Sequence, residues 1–292
     1  MSTPTDPARP TYPPDAARPV TPTPPQNRET RGASRVVAIL TIALGGAVVL
    51  GAIGSATFST IAAASVHTES QSIDAAGVTD LDISVNGAAL RIEFDDVVEA
   101  TLEVTSGAGV GPWTLERDGD ELNVESPRRF GPGWFFFGED VKATLTLPRD
   151  IEGATLDADL DLSAGDLTVD GDFGALDIEV SAGSLTVDGS AKTLLADLSA
   201  GGADIDLTDV AEAEFTVSAG TIDARLEGSP PRTVTVDVSA GSLDLRLPDG
   251  SYDVQSDVSA GEFHNELRTD AGARNVVNVT VSAGSATITS AR

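Results

Sequence analysis

The chain has 292 residues, no Cys, one Met and two His, with 46 Asp and Glu against 18 Lys and Arg, for a net charge of −28. The lack of Cys excludes disulfides, thiolate metal sites and a Cys nucleophile, and two His leave little room for a histidine-built metal centre. So acidic a chain also lacks the basic face that neutralises phosphates, so nucleic acid is not an expected partner.

Residues 1–35 hold nine of the 16 Pro, all between Pro4 and Pro25. Little apolar surface accompanies them beyond Tyr12 and Val20, which predicts a disordered Pro-rich tail acting as a spacer. Binding of an aromatic-lined groove is the second use of such a tail.

From Val36 to Val66 no residue is charged, and the run exceeds the ~20 residues that cross a bilayer core as a helix. Arg28, Arg31 and Arg35 precede it, while Glu69 and Asp74 follow. The excess of positive charge on the inner side of membrane helices then places residues 1–35 in the cytoplasm and residues 67–292 outside. A signal peptide cleaved near Ala62-Ala63-Ala64 is the rival, but its usual apolar core spans only ~7–15 residues. An uncleaved transmembrane helix over 36–66, held in the lipid bilayer, is the expectation. Ala43, Ala47, Gly51 and Ser55 recur every four residues on it, a spacing of small residues through which two such helices form a homodimer.

Residues 67–292 carry 43 acidic and 13 basic residues and short alternating runs such as Leu176 to Val180, the mark of half-buried strands. Ser-Ala-Gly begins at Ser163, Ser181, Ser199, Ser218, Ser239, Ser259 and Ser282, at intervals of 18, 18, 19, 21, 20 and 23. Apolar residues alternate before the tripeptide (Leu160, Leu162) and after it (Leu167, Val169), but Ala164 and Leu167 are three apart. Period-two alternation cannot hold both on one face, so the chain must bend near Gly165. Ala is expected inside that corner, with the Ser hydroxyl bonded to neighbouring backbone or to the next Ser. Each repeat is then two short strands joined by bends, and stacking them gives an all-β, parallel β-solenoid (β-helix-like) ectodomain. Seven such turns at ~4.8 Å make a rod roughly 30–35 Å long. Val85-Asn86-Gly87-Ala88 and Val104-Thr105-Ser106-Gly107 read as degenerate copies. An antiparallel meander with Ser-Ala-Gly in hairpin loops is the competing architecture.

The runs LDLSAGDLTVDG, IEVSAGSLTVDG and DVSAGSLDLRL resemble a bacterial family of provisionally named adhesins built from β-strand repeats. The resemblance covers roughly 77–290. A strand ending in Leu-Pro, here Val141 to Pro148, precedes the repeats in that family, and its members often follow a transmembrane segment. It implies surface contact or an envelope role, names no ligand and transfers no catalytic residue.

Two features are candidate sites. The residues two before each Ser are Asp161, Glu179, Asp197, Thr216, Asp237, Asp257 and Thr280. Stacked, their carboxylates stand ~4.8 Å apart at a cost on the order of 1 kcal/mol per pair in water. A Ca²⁺ ion would relieve that repulsion; otherwise the column is a solvated face that discourages edge pairing. The expectation is the solvated face, with no cofactor. The second feature is Phe130 with Trp134, Phe135, Phe136 and Phe137 in a Gly- and Pro-rich loop, preceded by Arg128 and Arg129. It is either a contact patch for an envelope or surface ligand or a cover folded over the solenoid.

His67 and His264 are isolated and the repeated Ser are periodic, so no catalytic constellation emerges and an enzyme is not expected. The reading is a single-pass membrane protein displaying an acidic repeat domain for adhesion or envelope interaction. Envelope-stress signalling through the tail is the second class and a carbohydrate-active enzyme the third.

Overall fold

The computed structural model describes residues 61–63, 66–107, 111–127, 141–153 and 155–291. All lie in one compact unit, Ala52–Arg292; the other unit, Met1–Gly51, falls outside the described residues. The small-residue face Ala43, Ala47, Gly51 and Ser55 and the aromatic loop from Phe130 to Phe137 fall outside them too. Among the described residues no helix is long and apolar enough to cross a membrane. Strand β1, Ile61–Ala63, pairs antiparallel with β2, Val66–Asp74. Of the expected crossing span 36–66, only 61–63 and 66 are among the described residues, and they are strand.

The architecture is all-β and mostly parallel, as the repeat implies, and it takes the form of a solenoid-like stack. Two sheet faces run along it. One holds the strand segments before each Ser-Ala-Gly, the other those after it. Strand β8, Asp157–Val180, and β9, Ser184–Leu198, pair parallel from Asp166↔Ser184 to Val180↔Leu198. β9 continues into β10, Gly202–Thr208, on one face and β11, Glu212–Val217, on the other. These lead to β12, Thr221–Glu227, with β13, Thr233–Val238, and then to β14, Ser242–Leu247. In β8 the strand runs unbroken through Ser163-Ala164-Gly165, so the corner there is a bend within a strand rather than a loop.

Parallel in-register pairing dismisses the meander and puts like on like. Inward positions form apolar columns such as Ile178, Ala196, Phe215 and Val236, all at most 2% exposed. Each fully buried side chain of this kind contributes about 1.5–3 kcal/mol. The variable repeat interval is absorbed at the edge opposite the corners, as in the inserted Gly228 to Arg232 between β12 and β13.

The corner row is held by main chain. Ser199 N–H donates to the Val180 carbonyl at 2.8 Å, Ser218 to Leu198 at 2.9 Å and Ala219 to Ser199 at 3.0 Å. Of the repeated Ser hydroxyls, that of Ser163 makes a side-chain bond, a long one to Asp161 at 3.5 Å. Ala182, Ala200, Ala219 and Ala240 are exposed. The expected inward Ala and the Ser–Ser ladder are therefore both corrected: glycine occupies the crowded position. A Cβ on Gly201 would strike the Gly183 carbonyl oxygen, and Gly201 has φ +106°, a backbone state that L side chains rarely adopt.

The stack does not follow chain order at its C-terminal end. β15, Ser251–Val258, and β16, Glu262–Asn265, form the outermost coil. β17, Arg268–Thr269, borders the start of β15. The last coil, β18, Asn275–Val281, with β19, Ser285–Ser290, inserts between that coil and β13/β14. Composition explains the insertion. Val277, Val279 and Val281 stack on Val234, Val236 and Val238, whereas β15 and β16 turn Ser256 and Asn265 toward the interior. Inside the stack these groups would be buried, and a buried polar group without a partner costs about 1–3 kcal/mol. The coil therefore belongs at the wet end, where Ser256 is exposed and the Asn265 Oδ1 accepts from the Leu267 N–H at 2.9 Å. There Tyr252 is fully buried and its hydroxyl donates to the Pro248 carbonyl at 2.7 Å; burial and the nearby Asp249 push the phenol up to about 12.

At the other end, β3, Asp80–Asp95, pairs with β8 and continues the stack. Val85-Asn86-Gly87-Ala88 is the degenerate corner that the sequence suggests, with a register shift there. Val104 to Gly107 is not a further copy. It lies in β4, Glu99–Gly107, which runs antiparallel to both β2 and β7, Lys142–Pro148. β5, Thr114–Asp118, and β6, Glu121–Glu125, add a hairpin beside β3. The Arg117 guanidinium ties this antiparallel lid together, donating to the carbonyls of Asp74, Ala76 and Gly119, each at 2.8 Å.

Gly201→Ala should cost on the order of 2–4 kcal/mol, since it adds both a forbidden φ and a main-chain clash. Ala200→Ser, on the exposed neighbour, should stay within about 0.5 kcal/mol. Urea unfolding of both variants measures the contrast; equal midpoints would contradict the crowded-corner account.

Candidate functional site

The face that carries the candidate residues is the one preceding each corner. Parallel register places Glu179 beside Asp197, Asp197 beside Thr216, and Thr216 beside Asp237. The inserted coil then sets Thr280 between Asp237 and Asp257. The predicted column therefore exists, but its carboxylates adjoin only where Asp161, Glu179 and Asp197 follow one another. Asp237 and Asp257 each have Thr neighbours in the column. Among the described residues no three His, Asp or Glu side chains converge to hold a metal ion.

The stronger electrostatic feature is a second column two residues earlier. Asp82 pairs with Asp159 across β3 and β8, and Asp177 lies within electrostatic reach of Asp159. Partial burial raises the carboxyl pKa of all three above the ordinary carboxylate range. Neighbouring negative charge adds to this: Asp159 acts on both Asp82 and Asp177, and Asp161 on Asp82 and Asp159. The hairpin contributes Glu121, which faces Asp80 and raises Asp82 and Asp159 further. Among the described residues no salt bridge reaches Asp82, Asp159 or Asp177. Two described cations pair elsewhere: Arg232 meets Glu212 at 3.1 Å and, on the other face, Arg246 meets Asp223 at 2.7 Å.

Sequence reasoning missed Asp82, Asp159 and Asp177, because Asp82 joins the column across 77 residues of chain through a register set only on folding. Alternation alone marks Asp159 and Asp177 as outward-facing. Leu195 then breaks the column: it pairs with Asp177 and is 38% exposed. The aromatic run falls in 128–140, outside the described residues, between Pro127 after β6 and Val141 before β7; its base is the edge flanked by Pro127 and Val141. Trp113, beside its base, is 3% exposed. His264 sits on the outermost coil and bonds Glu266 at 2.9 Å with both groups exposed.

A parallel stack of two-sided coils, cornered by glycines and faced with carboxylates, defines a repeat-built all-β protein. By its sequence, residues 78–291 match the model of the Toastrack DUF4097 family, and the chain belongs to that family. No curated protein matches it. Three solved structures are similar at low identity. One is a provisionally named cell adhesion protein from Clostridium sporogenes ATCC 15579, 10% identical at TM-score 0.36 over 77% of this chain and 99% of that chain. The second is a provisionally named adhesin from Bacteroides fragilis NCTC 9343, 12% identical at TM-score 0.45 over 77% and 97%. The third is a provisionally named lipid binding protein from Parabacteroides distasonis ATCC 8503, 13% identical at TM-score 0.41 over 77% and 97%.

The raised carboxyls have a consequence for stability. Where the folded pKa exceeds the unfolded ~3.9, the native state binds more protons between the two values. Stability therefore falls as pH rises through that window and returns on acidification toward pH ~4. Asp159→Asn, which removes the middle charge, should raise stability at pH 7 by about 0.2–1 kcal/mol and flatten this pH dependence. Denaturant titrations at several pH values measure both; an unchanged pH slope would contradict the stacked-charge reading.

Proposed function

We propose that the chain is a non-enzymatic, membrane-anchored surface protein whose acidic repeat face makes adhesive or envelope contacts outside the cell. A helix within residues 36–60 crosses the bilayer with residues 1–35 in the cytoplasm. The uncharged run beginning at Val36 after Arg28, Arg31 and Arg35 supports that orientation.

The observation that carries the contact role is the column Asp82, Asp159 and Asp177. It presents carboxylates held close, partly desolvated and without a bridging cation among the described residues. A folded surface keeps such repulsion when an external partner of opposite charge relieves it. The flat face suits a positively charged envelope component or basic protein segment running along the stack. No residue is assigned a catalytic role.

Intact cells carrying the full chain should retain an immobilised oligolysine peptide. Retention should fall several-fold when Asp82, Asp159 and Asp177 are replaced together by Asn, and also in ~1 M salt, where charges more than ~3 Å apart are screened. Equal retention by the triple variant would contradict the assignment of this face. A C-terminal epitope that antibody cannot reach on intact cells would contradict the orientation.

A further inference from the structure

We propose that the outermost coil is a self-association edge: two copies of the chain pair β15 to β15 antiparallel about Ser256 and join their stacks end to end. In every other coil, from β8 to β19, the segment preceding Ser-Ala-Gly has a neighbour on each side. Along β15, among the described residues, only Ser251 and Tyr252 have a second strand partner, supplied by β17. From Asp253 to Val258 one side of the strand bonds β18 and the other has no strand against it. The apolar interior opens there. Val258 stacks on Val281, yet it is 40% exposed whereas Val281 and Val238 are fully buried. Val254 and Phe263 are only partly buried against the core.

The sequence of this edge identifies the occupant, because Asp253-Val-Gln-Ser-Asp-Val258 is self-complementary in one antiparallel register. Centred on Ser256, it sets Val254 against the second copy's Val258, Gln255 against its Asp257 and Ser256 against its Ser256. These are an apolar pair, an amide–carboxylate pair and a hydroxyl pair, each of a kind that stabilises cross-strand contact. A centre moved to Gln255 places Asp253 opposite Asp257, and a centre moved to Asp257 places that residue opposite itself. A centre moved by half a residue matches inward side chains to outward ones. One register thus avoids both like charges and mismatched faces. The opposite end of the stack cannot repeat the arrangement, since its antiparallel lid alters strand direction beyond β3. The association therefore closes as a two-fold pair instead of propagating as a fibre. Each copy carries a net charge of −28, so the pair should form more readily as salt screens the repulsion.

The chain has no Cys, so single substitutions report proximity directly. The full chain in membranes carrying Ser256→Cys is oxidised with copper phenanthroline, beside Ala200→Cys, an exposed position in the middle of the corner row, as the control. Antiparallel partners stand ~5.5 Å or less apart at Cα, within disulfide reach. We expect a Ser256→Cys dimer several-fold above the control and rising with salt from ~0.02 to ~0.5 M. It should disappear when Val254→Lys and Val258→Lys are added, which set lysine against lysine across the pair. Folding of that variant is checked by its unchanged thermal melt. Yield no greater than the Ala200→Cys control would overturn the proposal. Yield untouched by the two lysines would also overturn it, since contact through the membrane segment would then bring the chains together.

Discussion

The approach of main chain to main chain at the corner row is the constraint on which the rest depends. Coil lies on coil with no side chain between them at the glycine of each tripeptide. A Cβ on Gly183 would strike the Gly165 carbonyl oxygen, and one on Gly220 would lie 2.6 Å from that of Gly201. Because backbones meet there, the N–H of each corner reaches the carbonyl of the coil below, and the strands flanking the corner fall into register with their counterparts. Register in turn builds the apolar columns inside and the charged columns outside. A single positional rule thus yields both the core and the electrostatics.

The rule acts differently at the two ends. Interior coils can be apolar throughout because each is covered on both sides, whereas an end coil must tolerate water. The C-terminal part meets this by sending the Val-rich β18 inside and leaving the coil with inward Ser256 and Asn265 outermost. The N-terminal part meets it by changing strand direction: β4 and β5 run antiparallel to β7 and β6, and Arg117 fastens the resulting lid to the turn after β2. The lid terminates a pairing pattern that would otherwise propagate at its end of the stack.

Much of this was legible before folding was considered. Seven recurring tripeptides and the broken parity between Ala164 and Leu167 implied a cornered, stacked β architecture, and the column from Asp161 to Asp257 followed from it. What the repeat hid was its spatial order. Equal-looking copies do not reveal that Ser282 stacks next to Ser239, because that depends on which inward side chains tolerate an end position. The inward Ala and the Ser ladder failed for a related reason: the residue with no side chain, and not the smallest one with a side chain, takes the crowded position. Asp82 was invisible as a site because its partner Asp159 is brought to it by strand pairing, not by any local motif.

The central claim is a parallel stack with its last coil placed out of turn, and pairs of engineered cysteines at the corners measure it directly. Adjacent coils stand ~4.8 Å apart, within disulfide reach, while coils two steps apart exceed the ~7 Å limit. The account predicts ready disulfides for Ser239→Cys with Ser282→Cys and for Ser259→Cys with Ser282→Cys, and none for Ser239→Cys with Ser259→Cys. A disulfide between 239 and 259, with none between 239 and 282, would show the coils stacked in chain order and contradict it.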